Sequence, residues 1–504
     1  MGCLIFLGSP IGKMLIFITF FTVFQALLST FIAAFFGLSA AFFTANRNFL
    51  ARKFFLSFSV IPLCMPSLIV ALGYVSVFGM NGYLNKILMS ILTLEKPPLT
   101  FLYTTIGIVL AQGFYNFPLV MKIVSDAWEN LPSEQEDAAK LLGASSSRIF
   151  RTITFFKLLP ALVSACVPIF IFCFFSFMII LIFGGLGCTT LEVELYKVVN
   201  TSFNLSYGLR IAFIETFSAL TIIFIYTLFE QKGSHLKGIS FNEQKKSRKN
   251  ISLKKERAFA LTLLLFVTVF FILPLMGILL NAFSSRTSSF LTVKTFISIF
   301  KGRSFFKAIS QTFLTAFITG ALCGTAGFLY ASFLYLYKRK SNAKTIFSII
   351  PIIPMAISSI VTGFIIRIFI TQGNLLTLSF TQTVLMWPLA FRQIYAAIKK
   401  IPSDTVDSSL LLGGGKKDTV IKIFLPQTKK SVLSGALCCF AMSAGDSTLP
   451  LVLSIPKVET LALYTYRLAG RYRFNESCAS GFILALLCII IFTVARKIGL
   501  KEAD

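Results

Sequence analysis

Gly413-Gly414-Gly415-Lys416-Lys417 joins glycines to lysines, the combination that cradles phosphate. A phosphate loop needs G-x4-G-K-[ST], and here Leu410 stands at the first glycine and Lys417 at the hydroxyl position. The stretch therefore reads as a turn, with no nucleotide site. His235 is the only histidine, and the ten cysteines form no C-x-x-C pair or Cys/His cluster. No metal site is expected, and residues such as Cys166, Cys173, Cys438 and Cys439 read as small apolar core side chains. Asp446 is different: it interrupts an apolar run inside Ser443-Ala444-Gly445-Asp446-Ser447. A carboxylate at mid-bilayer costs about 2.5–3.5 kcal/mol unless it faces water or a partner. Asp446 is thus either a contact for a cation on a translocation path or a structural cap.

The strongest pattern is a repeat. Asn130-Leu131-Pro132-x4-Asp137-Ala138-Ala139-x3-Gly143-x9-Ile153 matches Lys400-Ile401-Pro402-x4-Asp407-Ser408-Ser409-x3-Gly413-x9-Ile423. The offset is a constant 270, and it extends from Pro118/Pro388 through Thr190/Thr460 to Lys197/Arg467. The same offset pairs Asp446 with Ser176. Pro132 and Pro402 suit the first turn of a helix, Asp137 and Asp407 follow within it, and Gly143 and Gly413 end it where positive φ is needed. A second amphipathic stretch leads back toward the membrane. Each copy should be a compact knob suited to a partner's groove, near residues 130–156 and 400–426.

The elements that must carry these knobs are membrane helices. The chain of 504 residues is 56% hydrophobic and only 13% charged, with the apolar residues in blocks long enough to cross a bilayer. Eleven spans are expected, at 14–43, 54–78, 102–125, 161–186, 210–229, 258–281, 308–336, 346–371, 375–398, 431–455 and 477–498. The fold class is all-α and polytopic, with two parallel repeats. Alternate loops carry more than twice as many Lys and Arg as the opposite set, which places the richer side in the cytoplasm, the N-terminus outside and the C-terminus inside. That loop pattern accounts for the net charge of +27 and argues against nucleic-acid binding. Residues 1–230 form the first half and 258–504 the second, joined by a basic cytoplasmic linker, 231–257, that acts as a tether or an anionic-lipid contact. Snorkelling accounts for Arg367 and Glu215 near the outer span ends.

The pattern E-A-A-x3-G-x9-I-x-L-P is the hallmark of ABC importer permeases, and this chain resembles that family. Asp407-Ser408-Ser409-x3-Gly413-x9-Ile423-Phe424-Leu425-Pro426 is a near-complete copy. Asp137-Ala138-Ala139-x3-Gly143-x9-Ile153-Thr154-Phe155-Phe156 keeps the spacing but lacks the final Leu-Pro, and aspartate replaces the usual glutamate in both. Fused two-copy chains of this kind resemble thiamine and ferric-iron permeases. Leu72-Gly73-Tyr74-Val75-Ser76-Val77-Phe78-Gly79 and Leu463-Tyr464-Thr465-Tyr466 look more like the thiamine group. The family usually has six spans per half, and the first half here lacks one.

The resemblance implies a type I ABC-importer permease fold in a bacterial cytoplasmic (inner) membrane and no catalysis by this chain. It implies no cofactor bound here, with ATP and Mg on two copies of a partner ATPase, and an extracytoplasmic solute-binding protein that delivers a small-molecule substrate. The residues expected to couple to the ATPase are Asp137, Ala138, Ala139, Gly143 and Ile153, then Asp407, Ser408, Ser409, Gly413, Ile423 and Pro426. Asp446 and Ser176 are candidates for the path, and Lys197, Arg467, Arg471 and Arg473 for docking the binding protein. The competing readings are a ferric-iron importer and an ion-coupled secondary transporter. The latter should show midplane carboxylate pairs or broken helices and no need of two knobs.

Overall fold

The computed structural model describes residues 10–500 apart from 50–51, 58–60, 62–64, 133, 185–188, 203, 235–247, 251–253, 285–291, 339–346, 348–349 and 371. His235, Lys245 and Lys246 of the linker lie outside the described residues. In the first repeat the principal helices are α1 (Pro10–Asn46), α2 (Ser67–Phe78), α3 (Tyr83–Leu92), α4 (Thr105–Glu129), α5 (Glu134–Leu141), α6 (Phe155–Phe174), α7 (Met178–Phe183), α8 (Leu191–Lys197) and α9 (Leu205–Ser234). In the second they are α10 (Lys254–Val267), α11 (Leu273–Ala282), α12 (Arg303–Lys338), α13 (Ser359–Phe369), α14 (Leu375–Ile398), α15 (Ser403–Leu411), α16 (Leu425–Gly445), α17 (Thr448–Leu453), α18 (Leu461–Gly470) and α19 (Phe474–Leu500). Strand pairing among the described residues is a two-residue parallel ladder, Arg47–Asn48 with Lys249–Asn250.

Among the described residues, eight helices are long and apolar enough to cross a membrane. Six match expected spans within a few residues, and two overlap theirs but are displaced, Ser67–Leu92 against 54–78 and Ser146–Phe174 against 161–186. The other three differ for physical reasons. Span 346–371 narrows to the short apolar helix Ser359–Phe369 behind a 3-10 stretch with Pro354 inside it. Helix α14 has the length but carries Gln382, Gln393 and Arg392. Span 431–455 is not continuous: α16 stops at Gly445 and α17 starts at Thr448. Span 161–186 breaks at the matching place, between Phe174 and Met178.

The chain packs as two units. The first gathers residues 1–63, 70–194 and 206–278; the second gathers 64–69, 195–205 and 279–504. These units do not coincide with the sequence repeats. The helix pair α10–α11, which opens the second repeat, packs as far as Ile278 inside the first unit. There Phe270 stacks on Phe114 at 4.9 Å and on Phe78 at 5.5 Å, and the Tyr74 hydroxyl donates to the Phe270 carbonyl. Gly73 lies so close to Pro274 that an added Cβ would sit 2.6 Å from its carbonyl oxygen.

Within each unit the same joint recurs. In the first, a Cβ on Gly37 of α1 would meet Val120 of α4 at 2.4 Å. In the second, a Cβ on Gly327 of α12 would meet the backbone around Ala390 and Phe391 of α14 at 2.9 Å. Two hydrogen bonds recur as well. Thr22 Oγ1 accepts from the Leu191 N–H (3.1 Å), as Thr312 Oγ1 does from Leu461 (2.7 Å). Ser29 donates to Gln112 Oε1 (3.0 Å), as Thr319 does to Gln382 Oε1 (3.2 Å). The repeat therefore includes the long leading helices, but there the offset is 290, not 270. The first repeat holds the extra residues around α3, between α2 and α4, where Asn85 ties that segment to Gly79 and Leu99.

Candidate functional site

The two knobs are built alike. Helices α5 and α15 end in Schellman turns: the Ala144 N–H donates to the Ala139 carbonyl (3.0 Å), the Gly143 N–H to Lys140 (2.9 Å), and the Gly414 N–H to Ser409 (2.9 Å). Gly143 and Gly413 carry the left-handed residue at φ 80° and 82°. A Cβ at either would meet nothing within 4 Å, so backbone strain alone selects glycine. The prolines sit slightly earlier than the sequence suggests. Pro402 precedes α15 and its carbonyl accepts the Thr405 N–H (3.2 Å), and Pro132 likewise precedes α5.

After each glycine turn comes a short helix, Ser146–Ile149 or Lys416–Asp418, and then a π-helical stretch, Phe150–Thr154 or Thr419–Phe424. Ser145 caps the first short helix by accepting from the Arg148 N–H. In the second, Asp418 accepts from the Gly415 N–H and pairs with Lys422 at 2.8 Å; these two contacts, the lysine foremost, hold its carboxyl below the usual range. Ile153 and Ile423 are half-buried, Ile423 against the core that contains Phe424 and Val406. Asp137 is exposed and pairs with Lys140 at 2.7 Å, Ala138 and Ser408 are exposed, and Ala139, Asp407 and Ser409 are half-buried. Pro426 is exposed on the first turn of α16.

Sequence reasoning missed the residues that dominate the tips. Leu141 and Leu142 are 90% and 88% exposed, and Leu411 and Leu412 are 87% and 89% exposed. Four leucines, at equivalent places in two charged loops, project from the folded chain. The signal was present as Leu-Leu-Gly at offset 270.

The knobs differ at their bases. In the first, buried Glu136 accepts a hydrogen bond from Thr154 (2.8 Å). The equivalents in the second are Val406 and Phe424, both fully buried, and Phe424 packs on Tyr335. A polar pair in one copy thus stands where the other has an apolar pair. Glu129, at the end of α4, also receives Arg52 and Arg248, the latter at 2.9 Å, while Arg47 pairs with Glu256 at 2.6 Å. These ions fasten the described end of the linker beside the first knob.

Asp446 lies in the break between α16 and α17, not within a helix. Its Oδ1 accepts from the Thr448 and Leu449 N–H groups (2.9 and 3.3 Å), and its Oδ2 accepts from Gln382 Nε2 (3.1 Å). Gln382 in turn receives Ser443 (2.6 Å) and Thr319. Ser176 occupies the matching break between α6 and α7 and is buried. Its side chain cannot replace a carboxylate, and Gln112 Nε2, the counterpart of Gln382 Nε2, is buried without a protein partner.

Toward the opposite ends of the helices, Lys197 and Arg471 are exposed, Arg467 pairs with Glu459 (3.1 Å) and Arg473 with Glu476. Two residues assigned to snorkelling behave otherwise. Arg367 donates to Asn200 Oδ1 (3.0 Å) and to the Val452 carbonyl (3.2 Å), and Glu215 is buried at 1% exposure. Among the described residues no group of three or more His, Cys, Asp or Glu is placed to hold a metal ion.

Comparison with known proteins agrees with this architecture. The Thiamine transport system permease protein ThiP of Escherichia coli (strain K12) is 24% identical over 490 residues, 95% of this chain and 88% of that protein. The protein of the same name from Haemophilus influenzae is 25% identical over 505 residues, again 95% and 88%. The Putative 2-aminoethylphosphonate transport system permease protein PhnU of Salmonella typhi is 30% identical over 166 residues, 33% of this chain and 57% of that one. The family described as binding-protein-dependent transport system inner membrane component matches residues 33–234 and 324–498, one segment in each repeat. With two matched segments, two knobs and the helices that carry them, the chain belongs to that family of inner-membrane transport components.

Proposed function

We propose that this chain is the membrane-spanning permease of an ATP-driven importer of thiamine or its phosphates. The observation that carries the importer reading is the duplicated knob with its four exposed leucines, which suits two equivalent docking events on a partner. Two copies of an ATPase supply them, and ATP and Mg belong to that partner, with no cofactor on this chain. The coupling residues are Asp137, Ala138, Ala139, Gly143 and Ile153 in one knob and Asp407, Ser408, Ser409, Gly413, Ile423 and Pro426 in the other. The loop charges support an external N-terminus and a cytoplasmic C-terminus. The thiamine assignment rests on the names of relatives that match nearly the whole chain. Ser176 and Asp446, each in the helix break of its own repeat, are the path candidates. The breaks occur here with two knobs, which an ion-coupled transporter does not need.

The deciding experiment is substrate-stimulated ATPase in lipid nanodiscs, with the chain co-purified with its ATPase and binding protein. Thiamine should stimulate and ferric iron should not, and Gly413→Pro, which cannot adopt φ 82°, should remove the stimulation. Stimulation by iron alone keeps the importer and moves the substrate. No association with an ATPase overturns the proposal.

The binding protein docks at Lys197, Arg467, Arg471 and Arg473. Arg471→Glu is the cleanest probe, because Arg467 and Arg473 already have acidic neighbours. It should weaken half-maximal stimulation by binding protein about tenfold at low salt and less at high salt. Unchanged stimulation at both salts removes this surface.

A further inference from the structure

The end of α4 is held from two sides. Glu129, its last residue, receives Arg52 on Oε1 and Arg248 on Oε2, the latter at 2.9 Å. Arg248 belongs to the linker, and the next two linker residues pair with Arg47 and Asn48 in the short ladder. Arg47 also makes a two-pronged pair with Glu256 of α10, at 2.6 and 3.1 Å. Trp128, one residue before Glu129, lies about 100° around the helix. Its ring stacks on Phe150 at 5.8 Å and meets Phe42 edge-on at 5.8 Å, and Arg47 lies over Phe42 at 5.2 Å. Phe150 opens the π-helical stretch of the first knob. All of these residues lie in the first packing unit. The five charged side chains are only 16–27% exposed, and each glutamate is bound on both oxygens, so they form a network and not isolated surface pairs. The second repeat builds this place differently. At offset 270 Glu129 becomes Lys399, Trp128 becomes Ile398 and Phe150 becomes Val420. Lys399 lies over the Tyr395 ring at 4.7 Å, and Ile398 and Val420 join the apolar core with Val406 and Phe424.

We infer that Glu129 is the positioning residue of the first knob, and that the linker, through Arg248, is part of that knob's seat. Four residues separate Glu129 from α5, so an end of α4 that swings carries the knob's first helix with it. The Trp128–Phe150 stack fixes the other limb, the π-helical stretch that follows the glycine turn. With both limbs fixed, Leu141 and Leu142 are presented in one pose, and a partner that covers them does not have to order the loop first. The linker therefore does more than join the repeats. Its charge sets how firmly the first knob is offered, while packing within its own repeat seats the second.

The seat deepens the importer reading and rests on it. Trp128 is one of two tryptophans, so Trp387→Phe leaves it alone, and its quenching by acrylamide then reports the stack. The experiment uses that background in nanodiscs, with the partner ATPase titrated onto the chain. Glu129→Gln keeps the shape and removes the charge. It should raise the quenching of Trp128 about twofold and the ATPase concentration for half-maximal hydrolysis about threefold to tenfold, with the maximal rate unchanged. Arg248→Gln, 119 residues away in sequence, should move both readings the same way by less, because Arg52 stays on Glu129. Added to Glu129→Gln, it should change nothing further. Should Glu129→Gln fail to fold, Arg248→Gln carries the test. A cluster that only stabilised the fold would lower thermal stability and leave half-saturation where it was. If the background engages the ATPase and the variants leave either the quenching or the half-saturation unmoved, Glu129 does not position the knob and the importer stands. If the background never engages an ATPase, the importer reading fails and the seat with it.

Discussion

Exchanging Leu411 and Leu412 for glutamate is expected to abolish ATP-driven uptake while leaving the chain folded. Both side chains are almost fully exposed, so the folded state gains nothing from them. A docked partner gains about 1.5–3 kcal/mol for each leucine it covers. Removing the pair and placing two charges in the groove should weaken association more than about a hundredfold. Recovery of ATPase on the purified chain is the measurement, with thermal stability as the control for folding. The same exchange at Leu141 and Leu142 tests whether the two knobs carry equal weight. Their bases differ, with Glu136 on Thr154 in one and Val406 with Phe424 in the other. If only one double variant leaves association intact, the knobs carry unequal weight; if both do, the tips are not the docking surface.

The second large effect is expected at Asp446. Asp446→Ala deletes the acceptor for the first N–H groups of α17 and leaves Gln382 Nε2 only its 3.4 Å contact with the Ser443 carbonyl. It should cost about 1–3 kcal/mol, a cap plus one of the two hydrogen bonds of a buried amide nitrogen. Thermal unfolding in detergent would read it. Asp446→Asn keeps an oxygen for Thr448 and Leu449 while removing the charge. Its Nδ2 then faces the Gln382 Nε2 donor in place of Oδ2, so the asparagine variant should keep the α17 cap and its uptake and lose about 1–2 kcal/mol of stability. The same stability with uptake lost would instead give the charge a direct part in passing the substrate.

Much of the fold was legible because long apolar blocks and a rigid 270-residue register are properties of sequence itself. Pro118 with Pro388, and Gly143 with Gly413, needed only counting. The leading helices escaped that register because extra residues around Tyr83–Leu92 shift it to 290, and their shared features are contacts: Gly37 against Val120, Thr22 under Leu191. The breaks at Ser176 and Asp446 were hidden for another reason. Hydropathy stays high through the break at Ser176, and the short polar run 443–448 lies between apolar stretches that together are long enough for one span. Nothing in the sequence singles out Glu129, since its partners Arg52 and Arg248 are 77 and 119 residues away. Arg367 looked like an arginine reaching for water until its acceptors were placed.

The packing of α10–α11 into the first unit also sets an order of events during synthesis. Tyr74, Phe78 and Phe114 find Phe270 only after the whole first repeat and the linker have been made. Until then the nascent first repeat holds an unfinished aromatic face in the bilayer, open to wrong partners. A ribosome that stalled near residue 250 would leave that repeat waiting, and a gene cut there would yield a first product lacking the helix that completes it. The second product, brought back in trans, should be able to rescue the first by supplying that helix alone.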